Sequence, residues 1–171
     1  MRSFEIQTDR LLLRPLSIAD AKDVFEWVSD ERVSKYMIYT TYKNIKQVES
    51  WLETVERDDS VFEFGFQRLS DGKLIGSGSI RYNSDIDRWV FGYNLRFDCW
   101  GNGYATEATK AMIEFARSKF NAHKFASEHC EENIASGNVM KNCGLKFVGY
   151  GEFTKLDGSC PQRSMRYEGE L

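Results

Sequence analysis

The stretch Trp100-Gly101-Asn102-Gly103-Tyr104-Ala105-Thr106-Glu107 decides the fold. Before it, Trp89 to Phe97 reads as a strand. After it, Ala105, Ala108, Met112, Phe115 and Ala116 recur on one side of a helix. Glycines where a strand gives way to a helix let the main chain turn tightly and approach a ligand closely. The first N–H groups of that helix lack an internal acceptor, and with the helix dipole they suit a phosphate or pyrophosphate. Thr106 adds a hydroxyl donor. A plain tight turn would carry the same letters, because a short Gly-x-Gly is weak on its own. Two phosphate motifs are excluded: no Gly-Lys-Ser/Thr tripeptide follows the turn, and Thr106 stands where a dinucleotide fingerprint needs its third glycine.

Upstream, the chain reads as a meander. Val61 to Leu69 sets Phe62, Phe64 and Phe66 against Glu63, Gly65 and Gln67, a period of two. Asp71-Gly72 is a hairpin turn, and Leu74 to Tyr82 returns as the next strand. Further back, Ile6 to Pro15 reads as a first strand. Ser17 to Asp20 and Asn44 to Gln47 are capping patterns that open two amphipathic helices. The Tyr-rich segment Ser34 to Lys43 between those helices reads as a loop. Downstream, His123 to His129 is a short strand, Asn133 to Asn142 a helix stopped by Gly144, and Phe147–Lys155 with Ser164–Glu168 a closing hairpin. The pattern predicts one α+β domain over residues 1–171, an antiparallel meander followed by a βαβα unit.

Composition limits the function. At about 150 residues per domain, 171 residues predict one domain. Hydrophobic residues are 42% and charged residues 29%, a balance that excludes disorder and fibrous repeats. No run after Met1 is apolar enough for a secretory signal, and none is long enough for a membrane span. A net charge of −3 without a basic block argues against nucleic acid as a general partner. The cysteines Cys99, Cys130, Cys143 and Cys160 form no C-x-x-C pair and no zinc spacing, so reduced thiols in a cytoplasmic protein are expected. Two histidines, His123 and His129, leave no metal centre that needs three.

Three blocks together carry a resemblance. Trp-Gly-Asn-Gly-Tyr-Ala-Thr-Glu-Ala at 100–108 is similar to the coenzyme A signature of GNAT-superfamily N-acetyltransferases, with Trp100 in its first place as in the Rim-type, ribosomal-protein-alanine acetyltransferase-like branch. Asn133-Ile134-Ala135-Ser136, Val139-Met140 and Gly144-Leu145-Lys146-Phe147 resemble that branch's second block, and Thr8 to Pro15 resembles its first strand. The resemblance implies a mixed central sheet flanked by helices and splayed into a cleft. It implies acetyl-CoA as donor, with the pyrophosphate on Gly101, Asn102, Gly103, Tyr104, Ala105 and Thr106, and the pantetheine arm along the strand around Asn94, Leu95 and Phe97. A backbone N–H near Asn94 or Leu95 would polarise the thioester carbonyl. Asn133 would hold the cofactor arm and Ser136 would lie near its sulfur; as a bare helix cap, the same pair needs no function.

Catalysis of acyl transfer needs a neutral amine and a protonated leaving thiol. Phe91 is read as standing where the branch often carries Glu before Gly-Tyr, so the base has to be sought among Asp85, Asp87, Glu128 and His129. His129 is the favoured base because histidine is the side-chain type that ordinarily ionises near neutrality. Ser136 is the favoured acid because Met140 occupies the place where some branches carry Tyr. An acyl-cysteine route through Cys99, Cys130 or Cys143 is the lesser alternative. The acceptor is expected to be a protein N-terminal amine. Aminoglycosides, polyamines and amino-acid-like amines are the alternatives, and a non-catalytic acetyl-CoA-binding module is a reading of a different class. Tyr36, Tyr39 and Tyr42 should line the acceptor's entrance, and exposed aromatics admit a homodimer.

Overall fold

The computed structural model describes residues 4–171. Its strands are β1 (Ile6–Gln7), β2 (Leu11–Pro15), β3 (Phe62–Arg68), β4 (Leu74–Asn83), β5 (Arg88–Leu95), β6 (Lys124–Cys130), β7 (Lys146–Phe153) and β8 (Gln162–Glu170). The helices are α1 (Ala21–Val28), α2 (Glu31–Ser34), α3 (Ile45–Arg57), α4 (Tyr104–Phe120) and α5 (Ile134–Asn142). All eight strands join one sheet in the order β1-β2-β3-β4-β5-β6-β8-β7. Only β5 and β6 run parallel; α4 makes the crossover between them. This is the mixed α+β sheet that the sequence predicts.

The first strand is corrected. Ile6 to Pro15 is a hairpin, because the Thr8 N–H and hydroxyl both donate to the Leu11 carbonyl at 2.8 and 3.1 Å. The expected strand Trp89 to Phe97 stops at Leu95, and Phe97 to Cys99 form a short 3-10 turn. Both predicted caps hold. Asp20 accepts from the Ser17 N–H at 2.9 Å, and Asn44 Oδ1 accepts from the Gln47 N–H at 3.2 Å.

Alternation sorts the sheet into two faces. Phe64, Phe66, Ile75, Ile80, Phe91 and Phe125 pack with Met112 of α4 and Met140 of α5. The other face carries α1 and α3 on a separate cluster that includes Leu16, Trp27, Leu52 and Leu74. Between these layers the sheet splits. β5 and β6 pair only at Trp89–Phe125 and Val90–Ala126, although both strands continue. Ser127 Oγ donates to the Phe91 carbonyl at 2.7 Å, a side-chain bridge where main-chain pairing ends. Beyond it the strands diverge into the expected cleft.

Candidate active site

The glycine turn lies at one mouth of the split. Gly101 and Gly103 have φ of 76° and 79°, in the left-handed region that penalises any Cβ. At Gly101 a Cβ would meet open space, so the main chain there faces outward. Gly103 is the N-cap of α4, and Tyr104, Ala105 and Thr106 carry N–H groups without an intrahelical acceptor. A cleft of about 420 Å³ is lined by Leu95, Gly101, Gly103, Tyr104, Ala105, Thr106, Asn133, Ser136, Val139 and Asn142 among others. The cradle fits a phosphate-bearing ligand: oriented donors, open space beside Gly101, and the positive end of a 17-residue helix.

Two of the sequence-derived residues work differently. Asn102 is outside this lining; its amide donates to the carbonyls of Cys99 and Trp100 at 3.2 and 3.0 Å and shapes the turn. Phe97 is also outside it, because β5 ends early and the ring lies under Arg32, 3.8 Å from the guanidinium carbon.

Strand parity assigns the main-chain donors at the split. The Phe91 carbonyl receives Ser127 from the β6 side, whereas the Arg96 N–H bonds Ile75 on β4. Odd positions of β5 therefore turn their N–H groups toward the split, which selects Leu95, with Tyr93, over Asn94. Asn94 instead points its side chain to the opposite face. Its amide donates to Ser77 Oγ at 3.1 Å, and its Oδ1 accepts from Tyr39 Oη at 3.4 Å.

Across the split, Asn133 caps α5 and its Oδ1 accepts from the Ser136 N–H at 3.3 Å. Ser136 Oγ lies 2.8 Å from Tyr93 Oη, which also reaches the Ser136 carbonyl at 3.0 Å. Burial raises the Tyr93 phenol above its ordinary range. This hydroxyl pair joins β5 to α5 across the gap. Tyr93 was missed in the sequence because it reads as an ordinary strand aromatic; only the splay brings it to Ser136.

A second cleft of about 660 Å³ opens on the α1/α3 face. Tyr39, Tyr42 and Trp51 line it beside Glu63, Ser77, Ser79, Gly92 and Asn94. Tyr36, Met37, Tyr93, Asn94, Asn133 and Ser136 line both clefts, so the two meet at the split.

The acid–base candidates separate by face. His129 follows Phe125 and Ser127 onto the α5 side. It is buried, stacks on Tyr167 at 5.5 Å, and bonds the Cys130 carbonyl through Nδ1 at 2.8 Å. Its Nε2 is buried without a hydrogen-bond partner, and a Cβ on Gly137 would come within 2.7 Å of it. Glycine lets α5 lie directly on the imidazole, which packs against Gly137 and Tyr167 at the edge of the second cleft. Phe91 is buried in the core and only borders that cleft, which β5 also lines with Val90, Gly92, Tyr93 and Asn94. Asp87 is taken by Lys124 at 2.6 Å and by Tyr82 at 2.7 Å, and Asp85 is exposed in the turn. Met140 is buried in the core. Burial pushes the Cys143 thiol up to about 11 and also raises Cys99, the reverse of what a nucleophilic cysteine needs. Among the described residues, no three His, Cys, Asp or Glu side chains stand together as a metal site, and no helix is long and apolar enough to cross a membrane.

Residues 10–146 match the family model described as an Acetyltransferase (GNAT) domain. The uncharacterized N-acetyltransferase YnaD of Bacillus subtilis (strain 168) is 28% identical over 152 residues, covering 85% of this chain and 84% of its own. A GNAT-family acetyltransferase from Bacillus anthracis superposes with a TM-score of 0.84 at 20% identity, covering 98% of both chains. RimL, a ribosomal α-N-protein acetyltransferase solved with coenzyme A, gives a TM-score of 0.84 at 13% identity, again over 98% of both chains.

Proposed function

This chain belongs to the GNAT acetyltransferase family, and we propose that it moves the acetyl group of acetyl-CoA to a primary amine, foremost a protein N-terminal α-amine. The observation that carries this reading is the meeting of two clefts at one split in the sheet. One is headed by the glycine cradle, and the other is walled by tyrosines. When bound, acetyl-CoA would supply an activated thioester carbonyl. Gly101, Gly103 and the N–H groups of Tyr104, Ala105 and Thr106 would hold its pyrophosphate. The Leu95 N–H would polarise the carbonyl, and Asn133 would border the arm. Ser136, held by Tyr93, would protonate the departing sulfur. An α-amine has an unperturbed pKa of about 8, so orientation and one modest base suffice. The structural likeness to a ribosomal-protein acetyltransferase supports the α-amine as acceptor. The size of the second cleft favours a second reading, a small amine such as a polyamine or an aminoglycoside.

A panel of an alanine-initiated peptide, a serine-initiated peptide, spermidine and an aminoglycoside, followed by free-thiol release, tests the proposal. Turnover with a peptide selects the α-amine. Turnover with spermidine or the aminoglycoside alone selects the small amine. Release no faster than hydrolysis with all four, despite acetyl-CoA binding in calorimetry, would leave a binding module.

Two substitutions check the assigned roles. Gly103→Val forces a β-branched residue to a φ of 79°, a strain of about 1–3 kcal/mol. Relief of that strain turns the cradle amides away, so the acetyl-CoA Kd is expected to rise about tenfold or more by calorimetry; an unchanged Kd removes the cradle from the site. Ser136→Ala should lower kcat by about tenfold while the acetyl-CoA Kd stays within a factor of about two. Equal loss in both would make Ser136 a binding residue.

A further inference from the structure

Three carboxylates line the second cleft: Glu63, Glu128 and Glu168. Glu168 pairs with Arg88 at 2.8 Å. Glu128 accepts from Ser164 Oγ at 2.9 Å and faces Arg166 in the β6–β8 register. The Glu63 carboxylate alone of the three makes no hydrogen bond or ion pair among the described residues. It sits part-buried on β3, on the face away from the phenylalanines that pack on α4. Register places it directly opposite Ser79 of β4, and Ser79 directly opposite Gly92 of β5. Directly opposed residues in antiparallel strands share a face. Glu63, Ser79 and Gly92 therefore form one row that ends at the split.

That row is a trough. Ser79 is small, and a Cβ added at Gly92 would meet nothing within 4 Å. With strands about 4.8 Å apart, the Glu63 and Gly92 main chains are about 10 Å apart. A glutamate side chain reaching along the trough leaves space for one amine nitrogen, or an amine and a water, before the split. Tyr39, Tyr42 and Trp51 wall the same cleft, and aromatic faces attract an ammonium group.

We propose that Glu63 is the residue that receives the acceptor amine and takes its proton, from β3 rather than from β5. The assignment rests on the transfer reading given above. Glu63 accepts one proton from the ammonium group and frees the lone pair that forms the C–N bond as the C–S bond breaks. The nitrogen's second proton is lost as the amide forms, balancing the one that Ser136 passes to the departing sulfur. Glu63 then returns its proton to solvent. The charge state suits the task. Burial foremost, with Asp58 after α3, raises the Glu63 carboxyl to about 7, and Arg81 on β4 acts in the opposite sense. The faces around it add Tyr39 and Tyr42, whose phenols burial also raises, so they are neutral where Glu63 titrates. Below about pH 7 Glu63 holds a proton and cannot accept another; above it the base is ready.

The test compares wild type, Glu63→Gln and His129→Gln with whichever amine of the panel reacts best. In wild type, kcat/KM should rise through an acidic limb near pH 7. Glu63→Gln should lower kcat/KM by about 10²-fold. It should also erase that limb, leaving the amine's own ionisation, near about 8 for an α-amine. The acetyl-CoA Kd should not move. A Glu63→Gln enzyme with wild-type rate and limb overturns the assignment, as does a limb that survives there and vanishes in His129→Gln. A wild type silent with all four amines would instead sink the transfer reading. Carboxyl-carbon NMR decides the matter independently: a Glu63 resonance titrating near pH 7 supports the role, and an ordinary glutamate titration overturns it whichever amines react.

Discussion

Replacing Lys155 by methionine is expected to lower the melting temperature by about 6–12 °C and to raise the acceptor KM, with the acetyl-CoA Kd unchanged. Lys155 is only 9% exposed and has no carboxylate partner among the described residues. Its Nζ donates to the carbonyls of Ser34, Met37 and Tyr39 at 2.7, 2.8 and 3.0 Å. An ammonium group has three protons, and all three are used here. Those carbonyls belong to the 34–43 segment that carries Tyr36, Tyr39 and Tyr42 over the second cleft, where the acceptor is proposed to bind. The Leu156 N–H adds a bond to the Ile38 carbonyl at 2.7 Å. One side chain from the β7–β8 connection therefore fixes the curvature of the 34–43 segment. Burial lowers the Lys155 pKa, and Cys160, Asp157 and Cys130 offset only part of that effect.

Methionine keeps the length and apolar stem but supplies no donor. Hydrogen bonds from a charged group are worth about 1.5–3 kcal/mol each. The loop is near the surface, so its carbonyls regain water when freed, and the net loss should be about 3 kcal/mol rather than the full sum. In a chain of this size about 1 kcal/mol corresponds to about 2–4 °C. Lys155→Arg should restore only part of the loss, because a planar guanidinium cannot converge on three carbonyls. An unchanged melting temperature in Lys155→Met would show that the loop holds itself, and an unchanged acceptor KM would separate the loop from acceptor binding.

Lys155 also shows where sequence reading stopped. As letters it is one lysine before Asp157-Gly158, a strand end like any other. Its partners are three main-chain oxygens more than 100 positions away, and main-chain acceptors leave no residue-type signal. Local signals did better. The period-two phenylalanines of β3, the caps at Ser17 and Asn44 and the glycine turn all express rules that act within a few residues, and the elements form as they predict. The parallel contact of β5 and β6 followed from a helix joining two strands, but its limitation to two residue pairs did not. The roles of Tyr93, Glu63 and His129 depend on that limitation. Splaying brings Tyr93 to Ser136 and opens the trough before Glu63. Parity within β6 turns His129 toward Gly137 and Glu128 to the opposite face. Glu63 was visible only as the polar half of an alternating strand, which is how a solvated residue also looks.

Glu107 sits inside the glycine-turn motif at 100–108, and its replacement by glutamine should loosen that motif from the rest of the fold. The carboxylate accepts from Thr8 Oγ1 at 2.7 Å and from the Arg10 main-chain N–H at 2.9 Å. It also pairs with the Arg10 guanidinium at 2.6 Å. Arg10 in turn donates to the Asn102 carbonyl at 2.8 Å and lies 4.5 Å over the Tyr104 ring. The β1–β2 hairpin, the glycine turn and the first turn of α4 are thus tied through one acid. Burial pushes the Glu107 carboxyl up, but the Thr8 hydroxyl, the Arg10 N–H and the Arg10 guanidinium outweigh it and hold it below its ordinary value.

A carboxyl lowered in the folded state stabilises at every pH above its unfolded pKa of about 4.3 and loses that contribution as pH falls through the folded value. Glu107→Gln removes the charge but keeps one acceptor oxygen, and Arg10 is half exposed, so the loss at pH 7 should be about 2 kcal/mol. By the same scaling, the variant should melt about 4–8 °C below wild type at neutral pH. The gap should narrow as both proteins are taken below the unfolded value of about 4.3. A gap of the same size at both pH values would mean that glutamine fails by shape and not by charge. Because Arg10 also braces the Asn102 carbonyl, the acetyl-CoA Kd should rise severalfold at pH 7. A weakened fold with an unaltered Kd would show that the turn keeps its geometry without the clamp.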